Sequence, residues 1–340
     1  MQSQPAIDFR VTEVAKHPAR LMQIRQLLAD SGLGMDADIT LFVEAWSDSQ
    51  LVGCAGLAAN VIKCVAVDKQ LRGENLSAKL LAEVENLAVD RGHFHLFLCT
   101  RPCNAERFQR SGFWPIAQSG SNAVLMENTP QGIARYCRSL HRYRHEGSRT
   151  GAIVMNANPF TLGHRHLVEL AASRCDWLHL FVVREDASFF PFSARLAMVR
   201  AGVAHLPNVT VHEGSQYIIS RATFPAYFLK ETGKVQRAWS EIDALIFRDH
   251  IAPALGITHR FIGSEPFCDV TRQYNETLHQ LLAGRIEVVE VPRIRATGSA
   301  ISASEVRRLL KTEQFSRIRE IVPETTFAHL EAHYGAVEVA

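Results

Sequence analysis

Residues Gly151 to His164 read GAIVMNANPFTLGH, and this stretch decides how the second half of the chain is built. Residues 151–155 form a short apolar run, the pattern of a strand buried on both faces. The loop that follows is polar and broken by Pro159, and a helix is expected over 163–173. The alternation continues with strands expected at 177–183, 209–212, 259–262 and 286–291. Helices are expected at 193–205, 225–230, 241–255, 269–282 and 303–310. Strands alternating with helices require right-handed crossovers and a parallel sheet covered on both faces. The fold class is therefore α/β, with a doubly wound parallel sheet over 150–340. Ligands of such sheets lie beyond the carboxyl ends of the strands, so the loops there carry the chemistry.

The first half, 1–140, mixes strands and helices in an antiparallel order. Strands are expected at 9–14, 41–46, 51–55, 62–67 and 95–99, the second and third joined as a hairpin by residues 47–50. A helix from Pro18 carries Leu21, Ile24, Leu27 and Leu28, and one over 76–91 carries Leu80, Leu81, Val84, Leu87 and Ala88. Short helices are expected at 104–110 and 133–140. Residues 141–149 (HRYRHEGSR) lack apolar periodicity and are assigned as a linker.

Composition narrows the function classes. At 340 residues and 47% hydrophobic, the chain is long enough for two cores and too apolar to be disordered. A net charge of +2 excludes a general polyanion binder, so any anion site is local. No apolar run reaches the length of a membrane span and no secretory signal is present. Seven cysteines without a C-x-x-C pair point to reduced thiols and a cytoplasmic setting.

Two helix starts attract attention as anion cradles. In the first, Thr161-Leu162-Gly163-His164, a helix N-terminus offers free N–H groups, Gly163 allows close approach and His164 can donate to phosphate. Asn156 and Asn158 lie just upstream. His164 and His166 also form an H-x-H, but residues two apart on a helix face different ways, which argues against a metal site. In the second, Ile301-Ser302-Ala303-Ser304-Glu305-Val306-Arg307, Ser302 and Glu305 suit a capping box. Ser304 and Arg307 add a hydroxyl and a guanidinium at a helix start.

Together these segments resemble the (H/T)-x-G-H and I-S-S-T-x-x-R-like signatures of the nucleotidyltransferase superfamily, which has a Rossmann-like fold. In the first half, Gln70-Leu71-Arg72-Gly73-Glu74-Asn75 before a helix, and the later 104–113 segment, resemble a GNAT-type acetyltransferase domain of α+β type. Asn75 stands at the second glycine of that motif. A GNAT-like domain followed by such a nucleotidyltransferase domain is similar over nearly the whole chain to the citrate (pro-3S)-lyase ligase family. Further matching stretches are 217–220, 223–225, 263–267 and 271–275.

The resemblance implies an acid–thiol ligase. Acetate would attack ATP to give acetyl-AMP and pyrophosphate, and the thiol of a dephospho-CoA-type prosthetic group on the citrate lyase acyl carrier subunit would take the acetyl group. His164 and Thr161 would be catalytic. Asn156, Asn158, Gly163, Ser302, Ser304 and Arg307 would hold ATP, with Mg²⁺ coordinated mainly through its phosphates and no dedicated protein metal site. Gly263, Glu265, Thr271, Asn275, Arg184 and Arg195 are candidates for the adenine, ribose, acyl or pyrophosphate contacts. Gln70, Arg72, Gly73 and Asn75 would receive a CoA-like arm. Neither nucleic acid nor membrane is an expected partner. The alternative is an adenylyltransferase acting on a phosphopantetheine- or nicotinate-mononucleotide-type precursor.

Overall fold

The computed structural model describes residues 6–71, 75–184, 188–219, 224–225, 227–229, 231–264, 268–296 and 299–335. The chain forms two compact units. One comprises Met1–Arg135 with Pro225–Ile242, and the other Tyr136–Phe224 with Asp243–Ala340. A segment from the middle of the second half thus completes the first unit.

The first unit begins with β1 (Asp8–Glu13), α1 (Pro18–Asp30), β2 (Leu41–Ser47), β3 (Gln50–Ala58) and β4 (Val61–Val67). Then come α2 (Leu76–Asp90), β5 (Phe97–Thr100), α3 (Pro102–Arg110), β6 (Trp114–Ser119) and β7 (Ala123–Glu127), followed by α4 (Gly132–His141), whose residues from Tyr136 on belong to the second unit. Among the described residues the strands form one sheet in the order β1-β2-β3-β4-β5-β7-β6, with β4–β5 the parallel neighbours. The expected hairpin is present: Asp48 and Ser49 both take positive φ, the geometry that matches strand twist in a two-residue turn. α2 buries Leu76, Leu80, Leu81, Val84 and Ala88 in the core formed with β2 to β5. The β6–β7 hairpin is an addition to the sequence reading. Pro115 lies in β6, which is an edge strand, where a missing N–H is tolerated.

The second unit contains β8 (Thr150–Met155), α5 (Leu162–Ser173), β9 (Trp177–Val182), α6 (Phe192–Val203) and β10 (Val209–Glu213). After α7 (Thr232–Ile246), whose residues up to Ile242 belong to the first unit, come α8 (Ala252–Leu255), β11 (His259–Gly263), α9 (Asp269–Leu282) and β12 (Glu287–Val291). The two-residue strands β13 (Arg295–Ala296) and β14 (Ser299–Ala300) precede α10 (Ala303–Lys311), α11 (Phe315–Arg319) and α12 (Glu324–Tyr334). The sheet order is β10-β9-β8-β11-β12 and every pairing is parallel. The order reverses between β8 and β11, which is where ligands settle in sheets of this kind.

Two helix assignments need correction. The described residues of 225–230 are not helical: Tyr227 and Phe228 form a turn, and α7 starts at Thr232. The helix expected over 241–255 is the continuation of α7, interrupted by a π turn at Phe247–Ile251 in which the Ala252 N–H reaches the Phe247 carbonyl. Pro253, lacking an N–H, cannot continue the ordinary ladder there. All seven cysteines are free thiols. Among the described residues no helix is long and apolar enough to cross a membrane.

A buried histidine pair lies on the second sheet. His179 Nδ1 on β9 is 2.9 Å from His212 Nε2 on β10, and both side chains are buried. Residues of the 141–149 stretch pack beside them. Tyr143 lies edge-on to His212, while His145 stacks on Trp177 and sits 6.4 Å from His179. Burial pushes His179 down to about 3, aided by the charges of His212 and His145, and burial pushes His212 down to about 4. Both histidines are neutral in the fold but protonate near 6.5 once unfolded, so the unfolded chain takes up protons first. Stability is therefore full above about pH 6.5 and falls toward pH 4, by at most about 1.4 kcal/mol per pH unit for each histidine. Urea denaturation across that range should show the slope, and His212→Asn should flatten it; a slope identical in the variant would assign it to other groups.

Candidate active site

The loop after β8 enters α5 through a reciprocal cap. Thr161 is the N-cap: its Oγ1 accepts from the His164 N–H at 3.4 Å, and the His164 ring accepts from the Thr161 N–H at 3.0 Å through Nδ1. That second bond fixes the tautomer. An Nδ1 that accepts carries no proton, so the imidazole proton sits on Nε2, which is left as a donor. Burial, and after it the charge of Arg293, pushes His164 down to about 4. His164 is thus a neutral hydrogen-bond donor at ordinary pH. Thr161 is 1% exposed, so its hydroxyl acts through His164 as a positioning group and not on a ligand.

The other first-turn donors are accounted for in turn. The Leu162 N–H goes to the Ile321 carbonyl at 3.0 Å. Gly163 keeps an N–H with no partner among the described residues. A Cβ built there would meet Thr161 Oγ1 at 3.5 Å and the Ile301 carbonyl at 3.7 Å, ordinary contacts. Packing therefore does not demand glycine at 163, whereas a ligand approaching the bare N–H would.

Arg195 holds the loop. It is fully buried on α6, and its guanidinium donates to the Asn156 carbonyl (2.8 Å), Asn156 Oδ1 (2.8 Å), the Val183 carbonyl (2.9 Å) and the Phe190 carbonyl (3.1 Å). Expected to reach acetate or pyrophosphate, it is instead turned inward and ties the ends of β8 and β9 together. Asn156 also donates to Ser188 Oγ, while Asn158 Oδ1 accepts from the Phe190 N–H at 3.0 Å. The Oδ1 of Asn158 is thus spent on loop shape. Phe160 is wholly buried, its ring 5.8 Å from that of His164, and a Cβ on Gly202 would come within 2.5 Å of it.

The second motif meets the first. Arg307 on α10 donates to the Asn158 carbonyl, and burial lowers its pKa without neutralising it. Ser302 caps α10 by accepting from the Glu305 N–H at 3.2 Å and lies 3.2 Å from Ser304 Oγ. The expected capping box is only half made, because the Glu305 carboxylate turns to Arg308 at 2.7 Å.

From β11, Gly263 faces open space, and its carbonyl accepts from Asn275 Nδ2 at 3.1 Å. Asn275 is buried, so it shapes this strand end. Arg293, two residues past β12, was not singled out from sequence. Its Nε donates to the Ser264 carbonyl at 2.9 Å and its charge bears on His164. Its place directly beyond a parallel strand was the available signal. Thr271 is half-buried on α9, and Arg184 is exposed, with its guanidinium 5.9 Å from the Phe192 ring centroid. Glu265, Arg72 and Gly73 lie outside the described residues. In the first unit Gln70 is exposed, and Asn75 is the N-cap of α2 at φ 60. That left-handed conformation is one asparagine tolerates in place of glycine.

The second unit therefore gathers a neutral imidazole N–H, the bare Gly163 N–H and two guanidinium groups at the switch point of a parallel sheet. None of these is a carboxylate, so the set suits a phosphate chain. Among the described residues no group of three His, Cys, Asp or Glu could hold a metal ion.

Fold and site define a two-part protein, a mixed-sheet domain of acetyltransferase type and a parallel-sheet domain with two helix starts at its switch point. Residues 28–125 match the acetyltransferase (GNAT) domain model, and 150–330 match the citrate lyase ligase C-terminal domain model. The chain is 50% identical over 323 residues to a citrate (pro-3S)-lyase ligase of Klebsiella pneumoniae, covering 94% of each chain. It is 46% identical over 318 residues to that of Escherichia coli K12, covering 92% of this chain and 90% of the other. A Haemophilus influenzae relative of the same name is 44% identical over 94% of this chain and 97% of its own. The chain belongs to the citrate lyase ligase family and is an enzyme of the ligase class.

The packing of Phe160 supplies a test of how the site is supported. Gly202→Ala should push the Phe160 ring off its place against α6 and destabilise the protein by about 1–3 kcal/mol in chemical denaturation. An unchanged midpoint would mean that the ring moves freely.

Proposed function

We propose that this ligase activates acetate with ATP and passes the acetyl group to the thiol of the prosthetic group on the citrate lyase acyl carrier subunit. An acetate oxygen attacks the α-phosphorus, the bond to the β-phosphate oxygen breaks, and acetyl-AMP and pyrophosphate form. The thiol, as thiolate, then adds to the acetyl carbonyl and AMP leaves. Acetate is already a nucleophile, so the first step needs no general base. It needs donors aimed at charge building on the phosphates.

The observation that carries this reading is the His164 tautomer. With Nδ1 held by the Thr161 N–H, the Nε2 proton is presented without the cost of orienting it during reaction. Gly163 N–H, Arg307 and Arg293 would share the triphosphate, with Ser302 and Ser304 at the edge. Mg²⁺ would ride on the phosphates, keeping most of its waters. Gly263 and Thr271 are the remaining positions for adenine or ribose, and Arg184 the exposed cation for acetate or pyrophosphate. In the first unit, Gln70 and Asn75 with Arg72 and Gly73 would receive the CoA-like arm. The free thiols fit a reducing, cytoplasmic setting.

The protein alone should catalyse acetate-dependent ATP–pyrophosphate exchange. Exchange that instead requires a phosphopantetheine or nicotinate nucleotide would establish the adenylyltransferase alternative. His164→Ala should lower exchange by about 10²–10³-fold, while ATP affinity stays within about tenfold. Since protonation of His164 is displaced to about 4, the exchange rate should show no inflection from this group near pH 6.5.

Gly163→Ala separates packing from ligand approach. Its stability should stay within about 1 kcal/mol of the parent, because the added methyl meets only ordinary contacts. ATP affinity should fall at least about tenfold. A variant that binds ATP normally would remove the Gly163 N–H from the site.

A further inference from the structure

Within the first unit, β4 and β5 pair only at Val61–Phe97 and Ile62–Leu98, after which no ladder joins them. Strand edges that part leave backbone groups in need of partners. Here one such group, the Cys99 carbonyl, finds its partner in a residue far along the sequence. The Tyr227 hydroxyl donates to the Cys99 carbonyl on β5 at 3.0 Å, and the Tyr227 carbonyl accepts from the Gly34 N–H at 2.7 Å. The Phe228 carbonyl accepts from Arg101 at 2.8 Å. Phe228 is buried, its ring meeting that of Tyr227 edge-on at 5.2 Å.

This aromatic pair lines a cavity of about 280 Å³ together with Val65, Val67, Thr100 and Arg107. Val67, Ser77, Cys103 and Arg107 also line a second cavity of about 550 Å³ with Asn75 and Arg110. The two cavities share those four residues. Arg107 lines both cavities and Arg110 the larger, whereas Tyr227 and Phe228 line only the smaller.

We propose that Tyr227 and Phe228 are a plug that the chain supplies to its own β4–β5 cleft, and that a phosphopantetheine-type thiol arm enters fully only as the pair withdraws. This rests on the reading of the first unit as the receiver of the carrier's arm. The grip of the pair is of a kind that can be released. It consists of three hydrogen bonds, one donated by the Tyr227 hydroxyl to the Cys99 carbonyl and two accepted by the pair's own carbonyls, from the Gly34 N–H and the Arg101 guanidinium, with Tyr227 itself only half-buried. The apparent affinity for the arm is then the intrinsic affinity multiplied by the fraction of molecules with the plug out. Tyr227 and Phe228 thereby set whether, and how tightly, the cleft takes a thiol arm.

Calorimetric titration of the full chain with CoA tests this, with acetate-dependent exchange as the control for folding. Tyr227→Phe keeps the ring and loses one hydrogen bond, so CoA should bind about fivefold more tightly. Phe228→Ala should bind at least about tenfold more tightly, and both variants should retain exchange within about twofold. Amide hydrogen exchange at Tyr227 to Leu229 should speed up when CoA is added to the parent protein. If Tyr227→Phe binds CoA no better than the parent, or those amides do not respond, the pair is a fixed wall and the plug is overturned while docking stands. If the parent and both variants exchange normally yet none binds CoA, the docking reading itself fails and the plug with it.

Discussion

One buried guanidinium holds the site in shape. Arg195 lies inside the second unit with no exposed surface, and its donors converge on carbonyls just past the ends of two adjacent strands and from the loop that leads from β9 into α6. Buried charge is tolerated only when its hydrogen-bonding capacity is met, and these carbonyls meet it at good distances. Without that strut the loop after β8 would have neither its course nor its contact with α10, because Arg307 reaches the loop through the carbonyl of Asn158. The two helix starts, almost 140 residues apart in sequence, are brought to one edge of the sheet by this loop.

The electrostatics of the site then follow from short-range geometry. A histidine at the N-terminus of a helix, beside arginines, resists protonation for two reasons that act together, burial and neighbouring positive charge. Neutrality is useful here. A neutral donor directs a hydrogen bond without adding a charge of its own. The arginines supply the fixed charge and the imidazole supplies direction.

Much of this was legible in the sequence because it is local. The apolar run before Asn156, the punctuation by Pro159 and the Thr161 to His164 signature predict a strand, a loop and a capped helix, and the structure has each. What escaped depends on distant contacts. Arg195 reads as an ordinary helix arginine, although Ala194, Leu196, Met198 and Val199 around it hint that its helix is enclosed. Asn158 and Asn275 carry side chains fit for a ligand, but Asn158 commits its Oδ1 to the Phe190 N–H and Asn275 its Nδ2 to the Gly263 carbonyl at the end of β11. Tyr227 and Phe228 suggested a helical segment, and their true setting is a gap between two strands that precede them by well over a hundred residues.

The discontinuity of the first unit bears on how the protein is made. Its last piece, Pro225–Ile242, leaves the ribosome about 90 residues after Arg135. Domains generally fold as units as they emerge, yet this one emerges with the β4–β5 gap unfilled and with the Cys99 carbonyl and the Gly34 N–H still open to water. The nascent chain therefore carries all seven strands of the first sheet but not the last segment of that unit while β8, β9 and β10 are being synthesised. Completion of the first unit waits on translation of the second, so that the two halves of the enzyme mature nearly together.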